Sequence, residues 1–306
     1  MDLNDLKQAL CTLVAVPVTP FDEHGGLDLP AFRGVVDRIM AGGIQTVTPN
    51  GNTGEFYSLT VAECATLVNA AAAMASGRAL VIAGVGHDVV TAIDMARTAE
   101  EAGAEAVMIH QLVHPFRSAA GWVAYHQAIA ASVPRLGVVP YVRDGQVSAA
   151  MLSALIDACP NVIGIKYAVS DPLLFAAMVQ QIGRDRLAWV CGLAESWAPF
   201  FWTGGARGFT SGLVNVHCQR SLDMLHCLQA GDMAAAIRIW ADVKPFEDLR
   251  ARHANGNNVS VIKEAMAQLG LGARTVRPPI SELPASERGE VASILQTWRL
   301  AEPVPA

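Results

Sequence analysis

From Thr12 onward, short runs of apolar, mostly β-branched residues alternate with longer stretches in which apolar positions recur at helical period. Eight such pairs can be read. The strand segments are Leu13 to Pro17, Ile44 to Thr48, Leu80 to Gly84, Ala106 to His110, Leu136 to Pro140, Val162 to Lys166, Ala188 to Cys191 and Gly208 to Ser211, each followed by a helical stretch. Two helices run into glycine pairs, Gly42-Gly43 and Gly204-Gly205, and a third ends at Gly103, as a left-handed C-terminal cap before the next strand requires. Eight units joined by tight helix-to-strand turns predict a closed (β/α)8 TIM barrel over residues 1–230 rather than an open doubly wound sheet. No Gly-x-Gly-x-x-Gly follows the first strand, which also counts against a dinucleotide fold. After about Gly231 the alternation stops. Three helical stretches, Met233 to His253, Val259 to Leu269 and Ala285 to Leu300, predict a C-terminal helical extension over 231–306. No low-complexity linker precedes it, so it is expected to pack on the barrel. The tail Glu302 to Ala306, with two prolines, is expected to be loose.

Hydrophobic residues make up 52% of the 306 and charged residues 16%, enough to cover a sheet on both faces. The net charge is −6, and the cationic residues are scattered singly, so no basic stripe for nucleic acid is present. Met1 to Leu10 lacks the cationic start and apolar core of a signal peptide, and stretches such as Ala70 to Val85 are broken by Gly77 and Arg78. The expectation is a cytoplasmic protein without a membrane partner. The six cysteines (Cys11, Cys64, Cys159, Cys191, Cys218 and Cys227) show no C-x-x-C spacing and read as small buried apolar residues.

Of four lysines, Lys7, Lys244 and Lys263 sit in polar or amphipathic helical contexts, where a solvated role is expected. Lys166 ends an apolar strand, Val162-Ile163-Gly164-Ile165-Lys166-Tyr167. Alternation puts Val162, Gly164 and Lys166 on one face and Ile163, Ile165 and Tyr167 on the other. If the bulky set faces the helices, Lys166 points into the barrel near its C-terminal mouth, where barrel active sites gather. A desolvated lysine has a lowered pKa and more neutral amine to attack a carbonyl. A structural role, with Lys166 paired to Asp171 or Glu195, fits the strand equally well. After the second strand, Pro49-Asn50-Gly51-Asn52-Thr53-Gly54-Glu55 offers backbone N–H groups for a carboxylate and the Thr53 hydroxyl for proton relay, or serves as an ordinary turn. Closing the fifth strand, which is bounded at Pro140, the run Pro140-Tyr141-Val142-Arg143-Asp144-Gly145 offers a phenol for proton transfer and a guanidinium for a second carboxylate; alternatively Tyr141 is a rim aromatic and Arg143 pairs with Asp144.

Together these stretches resemble the dihydrodipicolinate synthase and N-acetylneuraminate lyase superfamily of (β/α)8 Schiff-base enzymes. The resemblance runs through VPVTPFDEHGGLD, PNGNTGEFYSLT, PYVRDG, IGIKYAVSD, GGARGFTSGLVNV and NVSVIKEAMAQLG, in order, over nearly the whole chain. It implies that Lys166 forms the imine and Tyr141 transfers protons. Thr53 would relay protons in a loop whose Gly51 and Asn52 help grip the substrate carboxylate. Ser211 and Gly212 would line the pocket. It implies a small 2-oxo acid as substrate, no metal or organic cofactor, and a homo-oligomer, dimer or tetramer. Lysine-pathway synthases read GTTGE, where this chain has Asn52 for the first threonine, and carry an aromatic pair after the fourth strand. Here that region is His110-Gln111-Leu112-Val113-His114-Pro115-Phe116, so the synthase relay looks broken. GEFYSL with YVRD looks closer to the 5-dehydro-4-deoxyglucarate dehydratase branch, with Arg143 suited to the distal carboxylate. The Tyr-Ala-Val-Ser-Asp run after Lys166 departs from that branch.

The leading expectation is dehydration and decarboxylation of a 2-oxo sugar acid through Lys166. The alternatives are aldol condensation or cleavage with pyruvate, an inactive barrel that binds small acids, and a metal-dependent aldolase using His110 and His114.

Overall fold

The computed structural model describes residues 1–300; the tail expected to be loose, Glu302 to Ala306, lies outside them. All eight expected strands form. After α1 (Leu3–Ala9) come β1 (Leu13–Ala15) and α2 (Leu29–Ala41), β2 (Thr46–Val47) and α3 (Val61–Ala75), β3 (Leu80–Val85) and α4 (Val89–Glu101), and β4 (Ala106–Ile109) and α5 (Ala119–Ser132). The second half holds β5 (Gly137–Val142) and α6 (Ala149–Ala158), β6 (Gly164–Tyr167) and α7 (Pro172–Ile182), β7 (Ala188–Cys191) and α8 (Ala194–Gly204), and β8 (Gly208–Ser211) and α9 (Cys218–Gln229). The strands are parallel and close in chain order, β8 pairing β1 through Leu13↔Phe209, Val14↔Thr210 and Ala15↔Ser211. Right-handed βα crossovers and the apolar character of both strand faces lead to this closed sheet. Gly43, Gly103 and Gly205 have φ of 95°, 89° and 117°, the left-handed caps that the glycines announced.

Side chains alternate between two cores. Val14, Ile82, Met108, Val139 and Val190 fill the barrel, with Leu6 and Leu10 closing its floor. Leu13, Val81, Val107, Ile165, Tyr167, Trp189 and Phe209 pack outward under the helices. The α1 helix that supplies the floor leaves no periodic signal, being a single short element capped by Asp2, whose side chain accepts the Asp5 N–H.

Two strand readings are corrected. β5 runs through Pro140 to Val142, so Tyr141 lies on the strand and not beyond it, paired with Lys166. In the sixth segment the alternation holds from Gly164 onward, but Val162 joins the outer core and Ile163 the barrel interior. The regular ladder starts only at Gly164, and Gly137 opposite has no side chain, leaving space that the Ile163 δ-carbon fills.

The extension comprises α10 (Met233–Asn255), α11 (Ser260–Gln268) and α12 (Ala285–Thr297). α10 packs on α8 and α9, and α11 and α12 pack on it in turn. Its regular turns break at Arg252, with His253 and Ala254 left-handed, close to the end read from the sequence. Among the described residues no helix is long and apolar enough to cross a membrane.

Candidate active site

Lys166 projects from β6 into the mouth of the barrel and is 5% exposed. The in-register pairing places Tyr141 of β5 beside it, with the ammonium nitrogen 4.2 Å from the centroid of the phenol ring. Neither carboxylate open to it in the sequence is its partner. Asp171 caps α7, accepting the Leu174 N–H at 2.9 Å, and Glu195 accepts from Ser221 behind the barrel wall. Burial, and after it the charge of Arg143, lowers the Lys166 pKa to about 7. A large fraction of this amine is neutral at physiological pH, the state that adds to carbonyls. Burial also raises the Tyr141 phenol above its usual value, so it remains protonated and able to donate.

The loop after β2 closes one side of the site. Asn52 directs its Nδ2 at the Tyr141 hydroxyl at a long 3.5 Å, and Thr53 is buried next to it in the chain. Gly51 is required by close approach: a Cβ there would lie 2.4 Å from Val16 Cγ1. The Thr19 hydroxyl donates to the Gly54 carbonyl at 2.7 Å, tying this loop to the one after β1. Asn215 braces the other side, accepting the Val18 N–H and donating to the Val16 and Gly212 carbonyls.

Arg143 is exposed at the rim, its guanidinium carbon 5.9 Å from the Tyr141 ring centroid. The Arg143–Asp144 pair open in the sequence does not form, because Asp144 pairs with Arg117.

Lys166, Tyr141, Asn52 and Arg143 therefore converge, with Gly51 and Thr53 in the adjoining loop. Ser211 and Gly212 do not join them through their side-chain positions. Ser211, two residues after Phe209 on β8, shares its outward face; its Oγ accepts the Val214 N–H and lies 3.2 Å from Ser221 Oγ. Gly212 is pressed against the extension, where a Cβ would meet Arg250 Nη2 at 2.7 Å. His110 and His114 also diverge: His110 is buried against Asn50, whereas His114 is exposed and bonds to the Phe116 backbone. Among the described residues no three His, Cys, Asp or Glu side chains gather as metal ligands.

One lysine was misplaced by its sequence context. Lys263, expected to be solvated, is buried; its ammonium pairs with Glu55 at 2.5 Å and donates to the Thr275 carbonyl at 2.7 Å. Arg277 joins the same lock, giving its N–H to Glu55 and two guanidinium bonds to Glu63. Helical periodicity places Lys263 on α11 but does not say that a carboxylate more than two hundred residues earlier meets it. The signal available was the joint presence of GNTGE and VIKEAM.

The model of the dihydrodipicolinate synthetase family matches residues 9–298. A protein from Methylobacterium radiotolerans named probable 5-dehydro-4-deoxyglucarate dehydratase is 32% identical over 92% of this chain and 93% of its own. One of the same name from Rhodococcus opacus is 34% identical over 93% and 94%. The crystal structure of dihydrodipicolinate synthase from Bacillus clausii is 42% identical, with a TM-score of 0.93 over 96% of this chain and 99% of that one. That from Oceanobacillus iheyensis is 38% identical, with a TM-score of 0.94 over 97% and 99%. With nearly every residue of the barrel and its extension matched, the chain belongs to the dihydrodipicolinate synthetase family.

Proposed function

We propose that this chain is a class I lyase that forms an imine between Lys166 and a small 2-oxo acid, and that it dehydrates and decarboxylates a 2-oxo-3-deoxy sugar diacid such as 5-dehydro-4-deoxyglucarate. The single observation that carries the imine is the buried, carboxylate-free position of Lys166 beside Tyr141.

In this scheme the neutral Lys166 amine adds to the carbonyl carbon, and Tyr141 gives the oxygen a proton so that it leaves as water. The iminium then draws electrons from the neighbouring carbon, which loses a proton to form an enamine. The enamine expels the hydroxyl of the next carbon as water. Electrons of the distal carbon–carboxylate bond flow back into the extended iminium as carbon dioxide departs; the dienamine so formed takes back a proton at carbon, its enol end becomes an aldehyde, and water hydrolyses the iminium to return the amine. The imine is the electron sink throughout, so the scheme calls on no metal or organic cofactor. Gly51, Asn52 and Thr53 hold the carboxylate beside the imine, Thr53 relays protons, and Arg143 meets the distal carboxylate.

The names of the curated relatives support the dehydratase reading. The names of the two solved structures favour a second one, condensation of pyruvate with an aldehyde through the same lysine. Borohydride added with pyruvate or a longer 2-oxo acid should leave a reduced adduct on Lys166 by mass spectrometry. No adduct with any of several 2-oxo acids sinks the imine. A substrate panel then separates the two readings, since release of carbon dioxide from the sugar diacid belongs to the dehydratase alone.

The chain is further proposed to work as a homo-oligomer. Val90, at the start of α4, and Val113 and Phe116, on the loop after β4, stand 65%, 62% and 82% exposed, apolar side chains that a partner subunit would cover.

A further inference from the structure

His110 takes no part in the imine scheme, yet it is buried at the end of β4 with a short bond through Nε2, 2.7 Å from the carbonyl oxygen of Asn50. A carbonyl only accepts, so the proton sits on Nε2 and Nδ1 carries none. Nδ1 is buried without a partner among the described residues, and burial above all holds the ring at a pKa of about 3. His110 is therefore neutral across the working pH range and acts as a fixed donor.

What it donates to is the start of the loop beside Lys166. Asn50 is a non-glycine residue in the left-handed region, at φ 59°, and its side chain is tied to the Cys64 carbonyl at 3.0 Å. Across from His110, Gly84 backs the same carbonyl so closely that a Cβ would lie 2.2 Å from the oxygen. The ring itself is stacked on Phe56, with centroids 3.9 Å apart and planes at 8°. Asn50 precedes the loop Gly51–Glu55 and Phe56 follows it, so one imidazole fastens both ends, by a hydrogen bond at one and a ring face at the other.

We propose that His110 is a positioning residue for the substrate carboxylate: it fixes the Asn50 peptide and Phe56 so that the intervening Gly51, Asn52 and Thr53 N–H groups converge on the carboxylate of the bound 2-oxo acid. This rests on the reading above that the loop, rather than Arg143 alone, holds the carboxylate next to the carbonyl.

The test compares wild-type protein with His110→Phe, which keeps the stack and deletes the donor, and His110→Gln, whose amide reaches about as far as Nε2. Pyruvate binding is measured by calorimetry, and hydroxyacetone, a carbonyl compound without a carboxylate, is captured with borohydride. His110→Phe should weaken pyruvate about tenfold, as expected for one lost hydrogen bond, speed amide exchange at Gly51–Gly54, and leave hydroxyacetone capture unchanged. His110→Gln should restore pyruvate binding to within about threefold of wild type. If His110→Phe does not fold, His110→Asn, whose amide stops short of the carbonyl, should show the same loss. Pyruvate binding unchanged in a folded donorless variant overturns the proposal, as does equal loss for both ligands. Pyruvate weakened tenfold with no borohydride adduct in either protein supports His110 and sinks the imine. A wild-type chain that binds no pyruvate overturns the carboxylate role argued for the loop and His110, whereas the imine falls only if no 2-oxo acid leaves an adduct.

Discussion

A lysine with its pKa near 7 is reactive and costly to the fold for one reason, the loss of water around its ammonium. The acid limb of kcat/KM should rise with pH and reach half its plateau near pH 7, because only the neutral amine attacks. Arg143→Met removes the second cause of the depression and should move that limb to higher pH; a limb unmoved in a folded variant shows that burial acts alone. The stability consequence has the opposite face. The unfolded lysine keeps its proton up to about 10.5 and the folded one only up to about 7, so the penalty is full below pH 7 and fades as pH climbs toward 10.5. Lys166→Met should therefore raise the melting temperature at pH 6 to 7 by several degrees, on the order of 2–4 °C per kcal/mol recovered, while abolishing adduct formation. The gain should shrink at pH 10, and a melting temperature that falls at pH 7 contradicts the desolvation argument.

Elements meet at the lock of Glu55, Lys263 and Arg277, which joins the loop after β2 to the extension. Glu55 is itself left-handed, at φ 60°, and a non-glycine residue stays there only when its surroundings hold it. Arg277 is held in turn by Glu63, whose carboxyl the guanidinium keeps at about 2, and by the Gly25 carbonyl. Removing one member of a buried ion pair leaves the other desolvated and unmatched, so Lys263→Met should cost about 3–5 kcal/mol in chemical denaturation. A loss below about 1 kcal/mol, the range of an exposed pair, shows that water enters the lock. Glu55 lay in full view within the GNTGE motif, and Lys263 within VIKEAM. Local pattern assigned the first to a turn and the second to a helix face; their meeting depends on how α11 lies over the barrel mouth.

At the scale of the molecule, a closed sheet has no free edge, so the surface left for self-association is made of loops and helices. Val90, Val113 and Phe116 are exposed beyond the C-terminal ends of β3 and β4, the end of the barrel at which Lys166 stands. Val113→Asp combined with Phe116→Asp should shift the sedimentation coefficient from that of an oligomer to that of a monomer. Sedimentation of the unaltered chain as a monomer removes the oligomer reading.

The sequence by itself determined the eight βα units, the glycine caps that end three helices, the helical extension and the strand that carries Lys166. These depend on the period of the apolar residues and on backbone preferences, both local properties. It also named Tyr141, Asn52 and Arg143, because each lies at the C-terminal end of a strand or in the loop that follows one, and every such end opens on one mouth. Only the tertiary structure decided that Ser211 turns outward while Tyr141 turns inward, since that depends on the parity and register of β8 and β5 within the closed sheet. It likewise decided that Asp144 goes to Arg117, that Lys263 is buried, and that His110 fastens the loop it never adjoins in sequence. Each of these is a contact between distant segments, and a hydrogen bond or ion pair of about 3 Å is settled by packing that no single stretch of chain encodes.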